Sequence, residues 1–198
     1  MQPVLLAIDR FSAFVGKLFA WLILALTLAI CYEVFARYLF RAPTSWAFDM
    51  SYILYGTLFM MAGAYTLSRG GHVRADFAYR LASQRRQALI DLSLYLLFFL
   101  PAMIGMMIYG WDFFLLSLAQ NEQSSVSPDG PLIWPFKFII PLAAATVLLQ
   151  GFAEIARCVI CLREGAWPQK LNDVEEMEVL ALEAARRLYE AEQAEKSA

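Results

Sequence analysis

Glu33-Val-Phe-Ala-Arg37-Tyr38-Leu-Phe40-Arg41-Ala-Pro43-Thr44-Ser45-Trp46 is the stretch that decides the fold. An apolar helix enters it carrying an acid and a base four residues apart, so both lie on one helix face. Pro43 forbids continuation, and the residue before a proline avoids helical backbone. Thr44 or Ser45 is placed to cap a second helix, and Trp46 suits a membrane–water boundary. Two helices joined by so short a turn form an antiparallel hairpin. The second helix closes at Arg69-Gly70-Gly71-His72-Val73-Arg74-Ala75-Asp76.

Composition sets the solvent. The 198 residues are 60% hydrophobic and only 17% charged, and the mean hydropathy is +0.53. Too few charges remain to cover a water-facing surface, so lipid is part of the surroundings. A net charge of -2 with no basic stripe excludes a nucleic-acid partner.

A membrane span needs about 20 mostly apolar residues. Segments of that kind lie at about 18–40, 46–68, 89–118 and 136–162. Lys17 ahead of an apolar run and Leu28-Ala-Ile-Cys31 outline a lipoprotein-type cleavage site. Ile30 is too large for the residue before the cut, and the apolar pattern continues to Phe40, so the first helix is expected to be retained. Between the second and third spans, Val73, Phe77 and Leu81 recur every four residues among Arg69, Arg74, Arg80, Arg85 and Arg86. That spacing predicts a short helix lying in the headgroup region. Pro101 is expected to bend the third span. Gln120 to Pro131 is a polar loop without lysine or arginine, and Trp134-Pro-Phe-Lys137 anchors the fourth span at an interface. From Asn172 the chain turns charged, with a thin seam of Val174, Met177, Ala181, Ala184 and Leu188.

The expected fold is therefore an all-α membrane protein. Residues 1–165 form a four-helix membrane domain with an interfacial helix between the second and third spans. Residues 166–198 form a charged, soluble C-terminal helix. Arg10, Lys17, the five arginines after the second span, Arg157, Arg163 and Lys170 fall on one side, against Arg37, Arg41 and Lys137 on the other. Positive charge stays inside, so both termini are expected in the cytoplasm.

Ionisable residues at membrane depth are the functional suspects. Glu33 and Arg37 can neutralise each other, Asp49 and Asp112 sit near helix ends, and Glu154 is deeper, within reach of Arg157 or Arg163. The middles of the first two spans carry no charge. Cys158 and Cys161 have a redox-like spacing, but they face a reducing compartment and lack the further ligands of a zinc site. His72 is the only histidine. No nucleophile–base pair, phosphate loop or paired catalytic carboxylates suggest an enzyme, and no cofactor or metal site is expected. Two functional alternatives are a self-sufficient small transporter or channel that oligomerises around Glu33, Asp49 or Glu154, and a membrane redox protein built on the cysteines.

Glu33 to Phe40, Pro43-Thr-Ser45-Trp46, Gly63-Ala-Tyr65 and Arg69 to Asp76, in that order, resemble the small permease (Q) subunit of tripartite ATP-independent periplasmic (TRAP) transporters. Trp134-Pro-Phe-Lys137, Ile140-Pro141 and Leu148-Leu-Gln150-Gly151 are similar to the last helix of the mannitol or chloroaromatic-type branch. Phe48 stands where the family pattern has the first of two acids, leaving Asp49 alone. The resemblance implies a scaffold subunit of the bacterial inner membrane. It would bind a large permease (M) subunit that carries the sodium and substrate sites, with a periplasmic substrate-binding protein delivering an organic acid. Candidate contacts with partner or membrane lipid are Glu33, Arg37, Ser45, Trp46, Asp49, Arg69, His72, Arg74, Asp76, Trp134 and Lys137.

Overall fold

The computed structural model describes residues 2–70, 79, 82–127 and 130–171. Among the described residues, six α-helices and one π-turn make four rods: α1 (Gln2–Ala20) with α2 (Leu22–Tyr38), α3 (Ala47–Ser68), α4 (Gln84–Leu94) with α5 (Leu100–Ala119), and α6 (Trp134–Glu164). Three rods are long and apolar enough to cross a membrane: Gln2–Tyr38, Gln84–Ala119 and Trp134–Glu164. The fourth, α3, has 22 residues and spans about 33 Å at about 1.5 Å per residue. Tyr52, Tyr55, Tyr65, Thr57 and Asp49 dilute its apolar character. The expected interfacial helix and the C-terminal helix with its seam lie outside the described residues.

The rod carrying the first expected span begins at Gln2 and is interrupted by a turn at Trp21. Leu5, Asp9, Ser12, Ala13 and Gly16 of α1 are buried and recur every three or four residues, the spacing of one helix face. That face packs on α3 and α6. By contrast α2 buries only Leu26 and Ala36, leaving Leu28, Val34, Phe35 and Leu39 exposed. Contiguous apolar exposure of this kind belongs against lipid or another membrane helix.

The core lies along α6, which touches every other rod. Val15, Met61 and Ala143 meet there, with Phe19, Met60, Ile139 and Leu142 packed around them. Without a strong hydrophobic drive inside lipid, helix association depends on close van der Waals packing, which small residues permit. Gly151 is the tightest case: a Cβ there would lie 2.1 Å from Phe99 Cε1. Gly16 similarly admits Tyr65, whose Cβ would sit 2.5 Å from a Cβ on the glycine.

Ahead of Pro101, where a bend is expected, the helix holds a π-turn over Tyr95–Phe99, with the Leu100 N–H reaching the Tyr95 carbonyl. Proline lacks an N–H and its ring crowds the carbonyl four residues back, so a wider turn before it relieves the clash. Phe99, at the end of that turn, fills the notch at Gly151. Tyr95 packs edge-on against it, ring centroids 5.3 Å apart.

Neither hydroxyl expected to cap the second helix does so. The N-cap of α3 is Trp46, with no side-chain cap hydrogen bond. Thr44 is committed to Glu33 instead. The preceding helix closes through Arg41, whose φ of 53° is left-handed. This turns the chain so that the Ala42 N–H donates to the Ala36 carbonyl at 3.0 Å.

Candidate functional site

Polar chemistry gathers at the two ends of the bundle. At the hairpin end, Arg37 donates to Glu33 Oε1 through Nε at 2.9 Å and Nη2 at 2.6 Å. The other carboxylate oxygen of Glu33 accepts the Thr44 backbone N–H at 3.1 Å and the Thr44 hydroxyl. Tyr32 and Trp46 stack beside them with ring centroids 5.9 Å apart. Glu33 is thus the clasp of the hairpin. Its partner Arg37 keeps 55% side-chain exposure, and exposed pairs contribute about 0–1 kcal/mol. Arg37→Ala should therefore cost little, whereas Glu33→Ala, which also releases the Thr44 N–H and hydroxyl, should cost more. Denaturation of the two variants in one detergent checks the order.

The polar loop between α5 and α6 folds down onto this turn. It is a short hairpin, pinned by the Ser124 N–H to the Pro131 carbonyl at 3.0 Å and the Ile133 N–H to the Glu122 carbonyl at 3.0 Å. The Ser124 hydroxyl donates to the buried carboxylate of Asp49, and Tyr52 Oη lies 3.2 Å from the same serine oxygen. Ser127 Oγ donates to the Ser45 carbonyl at 2.6 Å. Asp49 and Ser45 therefore hold a loop of their own chain.

Lys137 is buried, not snorkelling. Its ammonium pairs with Glu122 and sits 3.7 Å from the Phe113 ring centroid. Trp134 packs near Phe114, centroids 6.3 Å apart. The hydrogen bond from Lys137 holds the Glu122 carboxyl below its ordinary value of 4.5. A depressed carboxyl pKa contributes stability that is complete above the unfolded value and lost as pH falls through the folded one. The loop should therefore loosen on acidification below about 4.5, read as a change in tryptophan fluorescence. Glu122→Gln should flatten that response.

The opposite end holds a buried cluster. Arg157 Nη2 lies 2.5 Å from Asp9 Oδ2 and Nη1 2.5 Å from Glu154 Oε1. Gln150 Nε2 donates to Asp9 Oδ1 at 2.9 Å, and Ser12 donates to Gln150 Oε1 at 2.8 Å. Lys170 reaches back past the helix end to Glu154 Oε2 at 3.1 Å. Gly165, at φ 82°, makes that return possible by ending α6 with its N–H on the Cys161 carbonyl at 2.8 Å. Among the described residues, two acids and two bases balance. Glu154 meets Arg157 as expected; Lys170 and Asp9 complete the set, and Arg163 takes no part.

Of the sequence candidates, Glu33, Arg37, Ser45, Trp46, Asp49, Trp134 and Lys137 gather at the hairpin end. Arg69 lies apart at the end of α3, its guanidinium 5.4 Å from the Tyr65 ring centroid. His72, Arg74 and Asp76 lie outside the described residues. Cys158 and Cys161 are buried and form no disulfide, and Asp112 faces outward. Among the described residues no three His, Cys, Asp or Glu side chains form a metal-binding group. Asp9 is the residue that sequence reasoning missed; an acid on the same helical face as Leu5, Ser12 and Gly16 was its signal.

No match to this chain was found among curated proteins. The family model for tripartite ATP-independent periplasmic transporters, DctQ component, matches residues 26–161. That interval runs from the hairpin helix through the loop to the last helix, more than half of the chain. The family is a transporter permease component and not an enzyme. The chain belongs to the DctQ component family of tripartite ATP-independent periplasmic transporters.

Proposed function

We propose that this chain is the four-span scaffold subunit of a TRAP-type secondary transporter, supporting a large permease subunit that imports an organic acid delivered by a periplasmic binding protein. The observation that carries the reading is where the charges are spent. Glu33 holds a turn, Asp49 and Lys137 hold a loop, and Glu154 is neutralised by Arg157 and Lys170. A transporter acting alone would be expected to keep an acid or a broken helix facing a midplane cavity.

In this reading α3 crosses the membrane as the second span, and both termini are cytoplasmic, supported by the lysine and arginine asymmetry. The exposed apolar faces of α2 and α5 meet lipid or the large subunit. The Trp134-Pro-Phe-Lys137 and Leu148-Leu-Gln150-Gly151 motifs support the mannitol or chloroaromatic-type branch. Trp46 and Arg37, exposed beside the hairpin turn, would lie against the partner or lipid headgroups. Co-expression of a tagged chain with a large permease subunit of the same transporter family tests the reading. Recovery of a one-to-one complex is expected; purification of this chain alone under the same conditions would contradict it.

A further inference from the structure

A groove of about 530 Å³ runs between α1 and α6 at the end of the bundle that holds the charged cluster. Val4 and Ile8 line one wall; Ala153, Ala156 and Ile160 line the other, and Arg163 closes the rim. Val4 is 62% exposed and Phe152, also on the groove, 53% exposed. The volume lies within the usual range for small-molecule sites, about 300–1,000 Å³. Among the described residues no side chain in the walls can hydrogen-bond a polar ligand, so the occupant is apolar over most of its length.

The rim differs from the walls. Arg163 is exposed in the last turn of α6 and makes no ion pair with any described residue, whereas Arg157, two turns earlier, is fully committed. An apolar slot that ends in a cation with no ion pair among the described residues complements an amphiphile with a chain and an anionic head. Basic residues at the membrane surface attract anionic lipid by about 1 kcal/mol each. A helix of a partner protein would also fill the slot, but nothing about a helix face requires a cation at one end.

We propose that this groove holds an acyl chain of an anionic phospholipid whose headgroup is met by Arg163. The proposal rests on the reading that this end of the bundle lies at the membrane surface. It adds a lipid site that the scaffold function does not itself require. Lipid bound there would cover the exposed seam between α1 and α6 beside Asp9 and Arg157.

The test uses the full chain, delipidated in detergent and titrated with phosphatidylglycerol or phosphatidylcholine of matched chains, with retained lipid counted by native mass spectrometry. Phosphatidylglycerol should be retained about fivefold more tightly, the equivalent of one cation at the surface. Arg163→Gln should erase that preference, and Ala156→Phe, which fills the slot, should lower retention of both lipids. Helical melting of both variants reports that they remain folded. Equal retention of the two lipids by the unaltered chain, or a preference that survives Arg163→Gln, overturns the proposal. So does cross-linking of Ala156→Cys to the large subunit in membranes. The membrane reading is checked separately by labelling Arg163→Cys, in a Cys31→Ser background, with an impermeant maleimide. Labelling from one membrane face without a lipid preference defeats the lipid site alone. Absence of labelling from either face defeats both.

Discussion

Arg157→Met is expected to be the most damaging single substitution in the chain. Arg157 is fully buried and joins α6 to α1 through Asp9 while neutralising Glu154 on its own helix. Removing the cation leaves Asp9 buried with Gln150 as its donor among the described residues, since the Lys170 ammonium lies on Glu154. Stranding one partner of a buried pair costs about 3–5 kcal/mol, enough to unfold a marginally stable bundle. The same principle predicts its remedy. Adding Asp9→Leu to Arg157→Met removes the stranded charge, and the remaining Glu154–Lys170 pair is still balanced. The double variant should recover part of the loss, with a coupling energy of about 0.5–3 kcal/mol. Equal or additive losses, measured by thermal denaturation in detergent, would show that the cluster does not act as a unit.

The second large effect is expected at Gly151. A Cβ there would approach Phe99 Cε1 to 2.1 Å and Cζ to 2.6 Å, distances that no packed carbon pair tolerates. Phe99 cannot swing aside freely, because it ends the π-turn before Pro101 and Tyr95 packs against it. Gly151→Leu should therefore separate α6 from the rod of α4 and α5 at a cost of about 1–3 kcal/mol, seen as a lower melting temperature and a poorer yield. Phe99→Ala vacates the space the new side chain needs. Combined with Gly151→Leu it should be less harmful than the sum of the two single changes. Gly105, where an added Cβ meets nothing within 4 Å, is the control: Gly105→Ala should leave stability unchanged or raise it by about 0.5–1 kcal/mol.

What the sequence reveals, and what it hides, follows from how far apart the interacting residues are. The hairpin is legible because Pro43, the i,i+4 pair at Glu33 and Arg37, and the flanking apolar runs are all local. Its cap is misread for a reason one step longer in range. Thr44 looks like a helix cap until its hydroxyl is seen to be used by an acid eleven positions back. Lys137 reads as a membrane-surface anchor because tryptophan and proline precede it. Only the folded loop brings Glu122 to it, and the lysine is buried in that contact.

The first helix is hidden by a different effect. A helix with one face against protein keeps polar residues on that face, which lowers its average hydropathy. Asp9, Ser12 and Gly16 do this to α1, so an apolar window starts near residue 18 although the helix begins at Gln2. The contact of Asp9 with Arg157 spans 148 positions, so the face it shares with Leu5, Ser12 and Gly16 marks the acid but not its partner. The π-turn is legible only in part: Pro101 announces a distortion, but Gly151 on another helix accommodates the ring it displaces.

The central claim is that this chain supports transport without carrying the solute. Its most direct test is solute uptake into proteoliposomes containing this chain alone, the large permease alone, or both, each with the binding protein and a sodium gradient. Uptake is expected only where the large permease is present, and to be greatest with both. Sodium-driven uptake by this chain alone, lost on Glu154→Gln, would contradict the account.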